Sequence, residues 1–400
     1  MGRIGIYGGT FNPPHIGHIR AAEYALQSMA LDRLLVIPSC ISPHKKLPEG
    51  SPTPEQRLAM AQAAFGGIRD AEVSDLELSR GGSSYTYETV EQVKRMYPND
   101  EVLLFVGTDM FLSFDSWRNP ENIIKNAALA VFYRGDPEEK QKIEDKTGLF
   151  LQKGAKVYLV ENPVTEISST QLRRLLVFGC ARPFLTPEVL EYIRKNRLYG
   201  SIESYQNLPM EKLEQTVVSL LKPNRVNHVL GCRQTAKELA EKHGADPVDA
   251  QRAALLHDVT KALSGDLQLT VCGEYGIKLD SFSAKNPKTL HALTGSLVAQ
   301  RVFGENNAVV AAIRSHTTGK ADMNTLEKII YVADYMEPNR DFPGVEELRK
   351  LAYSDLDGAL KLGLKMTLSM LRQQGREISP ESAQALAFLE NNRKEGMKIC

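Results

Sequence analysis

Two histidines near the start of the chain stand three residues apart, in a setting suited to anion binding. Residues 4–7 have the apolar pattern of a short strand, a glycine pair and two prolines follow, and a helical pattern begins near His18. A strand, a glycine turn and a helix start leave backbone N–H groups free for an anion. His15 and His18 lie at this helix start, where the helix dipole is positive. The spacing therefore predicts an anion site.

A second segment could bind a phosphate. Ser169 and Thr170 precede a helical pattern, and Arg173 follows one turn later. Hydroxyls at a helix N-terminus and a nearby guanidinium can hold a phosphate with neutral and charged donors together. The alternative is an ordinary N-cap with a solvated arginine.

Two further positions have both a functional and a structural interpretation. Asp109 follows a strand and Gly107, so its carboxylate could accept a hydrogen bond from a ribose hydroxyl. The alternative for Asp109 is a helix cap. Trp117, the sole tryptophan, could stack on a ligand or belong to the core.

The second half of the chain contains a set of residues with the chemistry of metal ligands. Asp334 lies within an apolar helical pattern, where an uncompensated carboxylate would be costly and a metal ion would satisfy it. Any single histidine here could instead be a hydrogen-bonded core or surface residue. Mixed nitrogen and oxygen ligands suit iron, manganese, cobalt or zinc, and six ligands could hold two ions. The set, in chain order, is His228, His257, Asp258, His291, His316 and Asp334.

The elements that must position the first group alternate between strand and helix. Strand patterns occur at residues 4–7, 33–37, 101–106, 129–133 and 156–160, and residues 71–78 are expected to be extended. This alternation predicts a mostly parallel, doubly wound, Rossmann-like α/β domain over residues 1–200. Ligands bind such sheets at the carboxyl ends of the strands. The side chains that follow strands are therefore expected to converge on one crevice: His15, His18, His44, Lys45 and Asp109.

Strand patterns all but vanish after residue 200, and a series of helical patterns takes their place. A short polar connection at 199–209 separates the two regions. The sequence thus predicts a second, all-α domain over residues 205–395.

Composition limits the partners of the chain. Lys and Arg number 49, as do Asp and Glu, so net charge gives no steering towards nucleic acid or a membrane surface. No apolar run approaches the ~18 residues that a spanning helix needs. The first strand begins too early to leave room for a signal peptide, and five scattered cysteines are typical of reduced thiols. We expect a cytoplasmic protein, and the sequence leaves open whether it forms a homo-oligomer.

The first domain closely resembles one family. Residues 8–18, Gly-Gly-Thr-Phe-Asn-Pro-Pro-His-Ile-Gly-His, and residues 167–173, Ile-Ser-Ser-Thr-Gln-Leu-Arg, are similar to the two signatures of bacterial nicotinate-nucleotide adenylyltransferases. Residues 43–45, 84–86, 107–109 and 117–118 follow in that family's order. The resemblance implies ATP, nicotinate mononucleotide and Mg²⁺ as ligands.

The same resemblance implies roles for individual residues. ATP phosphates are expected on His15, His18, Ser169, Thr170 and Arg173, with His44 and Lys45 near the phosphates, and the mononucleotide near Thr86 and Trp117. The remaining residues expected to bind ATP or substrate are Gly8, Gly9, Thr10, Phe11, Gly107 and Asp109.

Class I aminoacyl-tRNA synthetases also contain a His-Ile-Gly-His string and are the nearest alternative. They need a later Lys-Met-Ser-Lys-Ser loop, whereas residues 167–173 here follow a different pattern. The synthetase interpretation is therefore set aside.

The second domain resembles the HD phosphohydrolase superfamily, and more narrowly the bacterial HD proteins that act as symmetrical bis(5′-nucleosyl)-tetraphosphatases. The segments that carry this likeness are residues 257–261, 316–319, 331–340 and 342–345. The narrower resemblance implies hydrolysis of diadenosine tetraphosphate to two ADP at a di-iron site. It also implies that Asp258 is catalytic as well as a ligand, and that Lys261 and Arg340 contact phosphates.

Alternatives remain for this second domain. HD domains also hydrolyse guanosine tetraphosphate alarmones and cyclic dinucleotides. A helical scaffold or a non-catalytic nucleotide sensor is a further alternative, although it leaves Asp334 unexplained.

Overall fold

Apolar runs of the first half build one parallel sheet. The computed structural model describes residues 2–41, 47–133, 137–161, 167–200 and 204–396, and the chain divides into two units, Met1–Glu203 and Ser204–Cys400. The strands of the first unit are β1 Arg3–Gly9, β2 Arg33–Pro38, β3 Ala71–Val73, β4 Glu101–Gly107, β5 Ala128–Tyr133 and β6 Val157–Glu161.

The sheet order is β3-β2-β1-β4-β5-β6, and every neighbouring pair runs parallel. This is the doubly wound order, with its topological switch point between β1 and β4. The interiors of the central strands are apolar because helices cover both faces of the sheet; Leu34 and Val36, for example, are fully buried. The predicted Rossmann-like α/β fold is confirmed.

The helices of the first unit connect these strands. They are α1 Ile16–Ser28, α2 Pro54–Phe65, α3 Leu76–Arg80, α4 Thr86–Met96, α5 Thr108–Leu112, α6 Pro120–Asn126, α7 Pro137–Gln152, α8 Ser169–Val177 and α9 Pro187–Lys195. The expectation of an extended segment over 71–78 is wrong beyond Val73. Glu77 on the short helix α3 is buried, where it accepts a hydrogen bond from Thr89 on α4, and this contact favours a helical turn over a longer edge strand.

The described part of the second unit is built from helices and contains no strand. They are α10 Met210–Leu220, α11 Val226–His243, α12 Pro247–Leu256, α13 Gly265–Glu274, α14 Ser281–Lys285, α15 Leu290–Arg301, α16 Asn307–Ser315, α17 Thr325–Met336, α18 Val345–Ala352, α19 Leu356–Gln373 and α20 Pro380–Gly396. Helices α11, α12, α16 and α17 pack against one another at the centre. The prediction of an all-α region is confirmed. In the part of the chain that the structure describes, no helix is both long and apolar enough to cross a membrane.

Candidate nucleotide site and candidate metal centre

The loop between β1 and α1 is tightly packed. The Phe11 side chain is buried and its ring meets the His18 ring edge-on, with centroids 5.2 Å apart. A Cβ at Gly9 would lie 2.9 Å from Phe11 Cζ, closer than real Cβ atoms approach. Gly9 is therefore required so that Phe11 can fold back beneath the loop and support His18.

His15 and His18 lie together at the N-terminus of α1. The backbone N–H of His15 donates to His18 Nδ1 at 3.2 Å, and the two ring centroids are 3.7 Å apart. Because Nδ1 of His18 is an acceptor, its neutral ring carries the proton on Nε2, which can donate. Burial lowers the pKa of His15 to about 4, so this imidazole is neutral at pH 7. The predicted pair is thus assembled.

The N-terminus of α8 closes against the same loop. Ser169 Oγ donates to the Pro13 carbonyl at 3.0 Å, and Arg173 Nη1 donates to the Asn12 carbonyl at 2.7 Å. Arg173 Nη2 also donates to Thr170 Oγ1 at 3.1 Å. The structure therefore brings together the two segments that the sequence singled out, residues 8–18 and 167–173.

Several residues that hold this loop were missed by sequence reasoning. Tyr199 donates its hydroxyl proton to Asn12 Oδ1 at 2.6 Å. Arg57, only 1% exposed, donates to the Thr10 carbonyl at 2.9 Å and to the Cys40 carbonyl at 2.8 Å. In sequence, Arg57 resembles an ordinary polar position of α2, and no local signal shows that its partners come from distant loops.

We expect Arg57→Met to destabilise the first unit by about 2–6 kcal/mol, because each of two partly buried carbonyls loses its donor at ~1–3 kcal/mol. Methionine keeps most of the aliphatic packing, so the loss reports mainly on hydrogen bonding. Urea unfolding followed by fluorescence of Trp117, the sole tryptophan, measures this unit. Arg69→Met is the control, since the Arg69 side chain is 94% exposed and should change stability little.

A cavity of about 230 Å³ opens at the carboxyl ends of β1 and β4. Six predicted ligand-binding residues line it: Gly8, Gly9, Thr10, Thr86, Gly107 and Trp117. The sequence missed two more of its polar residues, the buried Glu77 and Thr89, which are hydrogen-bonded at 2.6 Å. Asp109 is exposed on the first turn of α5 and does not line this cavity. His44 and Lys45 lie outside the described residues.

In the second unit, all six predicted metal ligands converge. His228 Nε2 lies 3.1 Å from Asp334 Oδ1 and 3.3 Å from His257 Nε2. Asp258 Oδ1 lies 3.5 Å from His291 Nε2 and 3.8 Å from His316 Nε2. These side chains come from α11, α15, α17 and the C-terminal ends of α12 and α16.

Hydrogen bonds fix which nitrogen each ring presents. Nδ1 of His257 lies 2.6 Å from the Ala254 carbonyl, and Nδ1 of His316 lies 2.7 Å from the Ile313 carbonyl. In the third ring, Nδ1 of His291 lies 3.0 Å from the Lys288 carbonyl. Since a carbonyl accepts only from an N–H, we assign the proton to Nδ1 in each ring. Their Nε2 lone pairs therefore face the cluster.

The donor set fits a metal ion. An unprotonated Nε2 of His228, the Nε2 of His257 and the carboxylate of Asp334 face one another as acceptors, an arrangement that a cation would satisfy. Asp258 Oδ1 is buried and accepts no hydrogen bond among the described residues. Two groups with ligand spacing share His257: His228, Cys232, His257 and Asp334, and His257, Asp258 and His316.

The ionisation states also suit metal binding. Burial lowers the pKa of His316 to about 3 and that of His291 to about 4, so both rings are neutral at pH 7. Burial alone would raise the pKa of Asp258, but His257 and Lys261 hold it well below its usual range. Burial alone would also raise the pKa of Asp334, but its contact with His228 and the neighbouring His257 and Arg340 hold it well below its usual range. Neutral imidazoles and ionised carboxylates are the forms that bind metal.

Three cationic side chains border the cluster. Lys261 Nζ lies 3.3 Å from Asp258 Oδ1, and Arg340 Nη2 lies 2.7 Å from Asp334 Oδ1. Their contact with phosphate stays a prediction. The third, Arg225, donates its Nε–H to Asp258 Oδ2 at 2.6 Å and was missed, because it precedes α11 without a motif. Each of the three cationic side chains is partly exposed, whereas Asp258 is fully buried and Asp334 is 17% exposed.

Two buried residues near the cluster were not among the predicted site residues. Cys232 lies one turn from His228 on α11, with Sγ 3.6 Å from His228 Nε2. Thr260 donates to the His291 carbonyl at 3.1 Å and pairs with the Thr294 hydroxyl at 2.8 Å. Thr260 therefore ties the segment after His257 to the helix that carries His291.

Comparison with known proteins matches each half of the chain to a family model. Residues 6–175 match the family model described as cytidylyltransferase-like, and residues 225–339 match the HD domain. The fold and the two sites thus define a nucleotidyltransferase unit followed by an HD unit.

Curated relatives match the first unit along nearly their whole length. A probable nicotinate-nucleotide adenylyltransferase of Borreliella burgdorferi is 34% identical over 198 residues, which is 49% of this chain and 96% of the relative. A probable enzyme of the same name from Shewanella sp. (strain MR-7) is 35% identical over 213 residues and is covered completely. In its first half, the chain belongs to the nicotinate-nucleotide adenylyltransferase family.

A solved structure matches the second unit. It is a predicted HD superfamily hydrolase involved in NAD metabolism from Clostridium acetobutylicum, 35% identical, with a TM-score of 0.45. The match covers 46% of this chain and 98% of that one.

Proposed function

We propose that the first unit transfers an adenylyl group from ATP to nicotinate mononucleotide, forming deamido-NAD and pyrophosphate. The observation that carries this proposal is the closure of α8 onto the opening loop, through Ser169 and Arg173. It places two helix N-termini, two imidazoles and a guanidinium around one loop. Family membership supports the choice of acceptor, since the relatives bear the name of this activity.

The reaction requires alignment of two polyanions and no protein nucleophile. A phosphate oxygen of the mononucleotide attacks the ATP α-phosphorus, the bond to the oxygen bridging the α- and β-phosphates breaks, and pyrophosphate leaves. We assign the ATP phosphates to His15, His18, Ser169, Thr170 and Arg173, with His44 and Lys45 beside them. A donor aimed at charge developing on the leaving group lowers the barrier.

The cavity beside β1 and β4 is the proposed place of the mononucleotide. Thr86 supplies a hydroxyl and a helix start, and Trp117 supplies an aromatic surface in that cavity. Groups with metal-ligand spacing in the described residues lie in the second unit. We therefore propose that Mg²⁺ enters the first unit with the ATP phosphates, as part of the substrate.

The test is a product assay by HPLC with ATP and either nicotinate or nicotinamide mononucleotide. We expect deamido-NAD and one pyrophosphate per turnover, with the nicotinate form preferred. Formation of neither dinucleotide would overturn the proposed activity, and preference for the nicotinamide form would overturn the assigned acceptor.

We further propose that the second unit binds two divalent metal ions, with iron the expected metal, and hydrolyses diadenosine tetraphosphate to two ADP. The observation that carries this proposal is the inward-facing set of Nε2 atoms and carboxylates, with three cations at its border. When bound, such ions polarise phosphate oxygens and lower the pKa of water. The ligands would be His228, His257, Asp258, His291, His316 and Asp334.

Cationic side chains of the second unit would bind the phosphates of the substrate. The charged groups of Arg225, Lys261 and Arg340 lie beside the ligand carboxylates, and the three side chains are partly exposed, so they would hold the tetraphosphate where water attacks an inner phosphorus. That attack breaks one central P–O bond and releases two ADP. Since one water is consumed and no redox change occurs, the products balance.

A substrate panel separates this function from its alternatives. The full chain, loaded with Fe²⁺ or Mn²⁺, is given diadenosine tetraphosphate, guanosine tetraphosphate and a cyclic dinucleotide. We expect fastest turnover of the first, with ADP as product. Faster turnover of another compound would reassign the substrate, whereas tight binding without turnover would favour a nucleotide sensor.

We expect Lys261→Met to lower kcat/KM for diadenosine tetraphosphate roughly 10- to 100-fold, because a hydrogen bond to a charged group contributes about 1.5–3 kcal/mol. HPLC kinetics measure the change. Lys237→Met on α11 is the matched control, since the Lys237 side chain is 43% exposed, pairs with Glu241 on the same helix and should leave the kinetics unaltered. An unchanged kcat/KM in Lys261→Met would remove Lys261 from the phosphate site.

A further inference from the structure

The cluster contains one histidine whose orientation is set differently from the others. His257, His291 and His316 each direct Nδ1 to a backbone carbonyl three residues earlier. His228 instead pairs its Nδ1 with the Glu337 carboxylate, at 3.1 Å from Oε1. The two residues are 109 positions apart in sequence. The rotation of this one ring therefore depends on a side chain from another part of the fold.

Glu337 is itself held rigidly. It is 1% exposed, and its Oε2 accepts from the backbone N–H of Asn339 at 2.7 Å and from Asn339 Nδ2 at 2.8 Å. Asn339 Nδ2 also donates to the Asn227 carbonyl at 3.1 Å. Arg349 donates hydrogen bonds to the Met336, Glu337 and Arg340 carbonyls and so stabilises the turn that follows α17. A buried carboxylate with this many donors has a fixed position.

The helix facing Glu337 lacks a side chain where one would interfere. At Gly231 on α11, an added Cβ would overlap Glu337 Oε2 and would lie 3.0 Å from Asn339 Nδ2. Gly231 has ordinary helical geometry, without the positive φ that favours glycine. Glycine costs about 1 kcal/mol relative to alanine in a helix interior. Its presence here is explained by the space that the carboxylate occupies.

From these contacts we infer that Glu337 is a positioning residue for the metal centre, and that Gly231 provides the space it needs. Glu337 accepts the Nδ1 proton of His228, which keeps Nε2 unprotonated and directed at Asp334 and His257. A carboxylate behind a ligand histidine also raises the basicity of that ligand. The inference rests on the proposed metal site of the second unit and assigns it an additional residue pair.

The test is metal affinity rather than turnover. Full-length protein, stripped of metal, is titrated with Co²⁺ and followed by its visible absorption, with thermal unfolding of the metal-free protein recorded in parallel. We expect Glu337→Gln to weaken Co²⁺ binding about 10- to 100-fold, the usual cost of losing such an outer partner. Gly231→Ala should weaken it as well, although alanine by itself favours the helix.

Gly273→Ala is the matched control, because Gly273 is an exposed helical glycine with open space at its Cβ position. It should bind Co²⁺ like the parent. Parental affinity in a folded Glu337→Gln or in Gly231→Ala would overturn the positioning role. Failure of the parent protein itself to bind Co²⁺ would overturn the metal centre, so the two failures are distinguishable.

Discussion

Replacing Asp258 by alanine is expected to abolish hydrolysis in the second unit, with a fall of about 10³-fold or more. Asp258 is fully buried, and its oxygens lie within 3.8 Å of nitrogen atoms of Lys261, Arg225 and four imidazoles. Several kcal/mol of transition-state stabilisation depends on bound divalent ions, and each 1.36 kcal/mol is tenfold in rate. Loss of this carboxylate should therefore remove metal and activity together.

Metal analysis by mass spectrometry and HPLC of ADP formation measure both effects. Asp258→Asn is a second variant that keeps the side-chain shape while removing the charge. If Asp258→Asn also loses metal and activity, the loss is due to the missing metal ligand rather than to disturbed packing. Asp357→Ala, at an exposed position of α19, is the control for removal of a carboxylate. Full metal content and near-parental hydrolysis in Asp258→Ala would contradict the assigned centre.

The second large effect is expected at His18. His18→Ala should reduce kcat for adenylyl transfer roughly 10²–10³-fold, by analogy with removal of an oxyanion-hole donor. Nδ1 of His18 accepts a hydrogen bond from the backbone N–H of His15, so the neutral ring has its N–H donor at Nε2. The lost donor would have faced charge on the leaving pyrophosphate.

A second variant at this position distinguishes the effect of His18 on the structure of the loop from its effect on the reaction rate. His18→Asn retains an acceptor for the His15 backbone, so it should preserve the loop while still losing most of the rate. HPLC of deamido-NAD measures transfer, and hydrolysis by the second unit of the same molecules is the internal control. Near-normal turnover in His18→Ala would rule out a transition-state role.

Sequence reasoning identified residues whose chemistry conflicts with their surroundings. Asp334 within an apolar helix and the histidines at helix ends pointed to the metal centre, and the structure brings them together. The strands could be predicted from the sequence because continuous apolar runs are typical of a sheet covered on both faces. Structure at the edge of the sheet was harder to predict, because a short helix, α3, forms where the sequence indicated an extended segment.

Residues that act by holding others were harder to find. Arg57 and Arg225 occupy positions whose local pattern is ordinary, and their partners lie 17 to 47 residues away. Glu337 stood within a recognised segment, but its role depends on a helix that begins more than one hundred residues earlier. Periodicity reports which face of a helix is buried, whereas it carries no information about which distant carbonyl or imidazole that face will meet.

The opening loop has a consequence for how the protein is made. Its polar groups are held by Ser169, Arg173 and Tyr199, which follow their partners by 156, 161 and 187 residues. Ribosomes add roughly 5–20 residues per second, so the first segment of the site to be synthesised waits until nearly the last residue of its unit has emerged. A nascent chain released before Ser169 would contain both histidines and the glycine turn, yet would lack all three of the contacts that hold the loop.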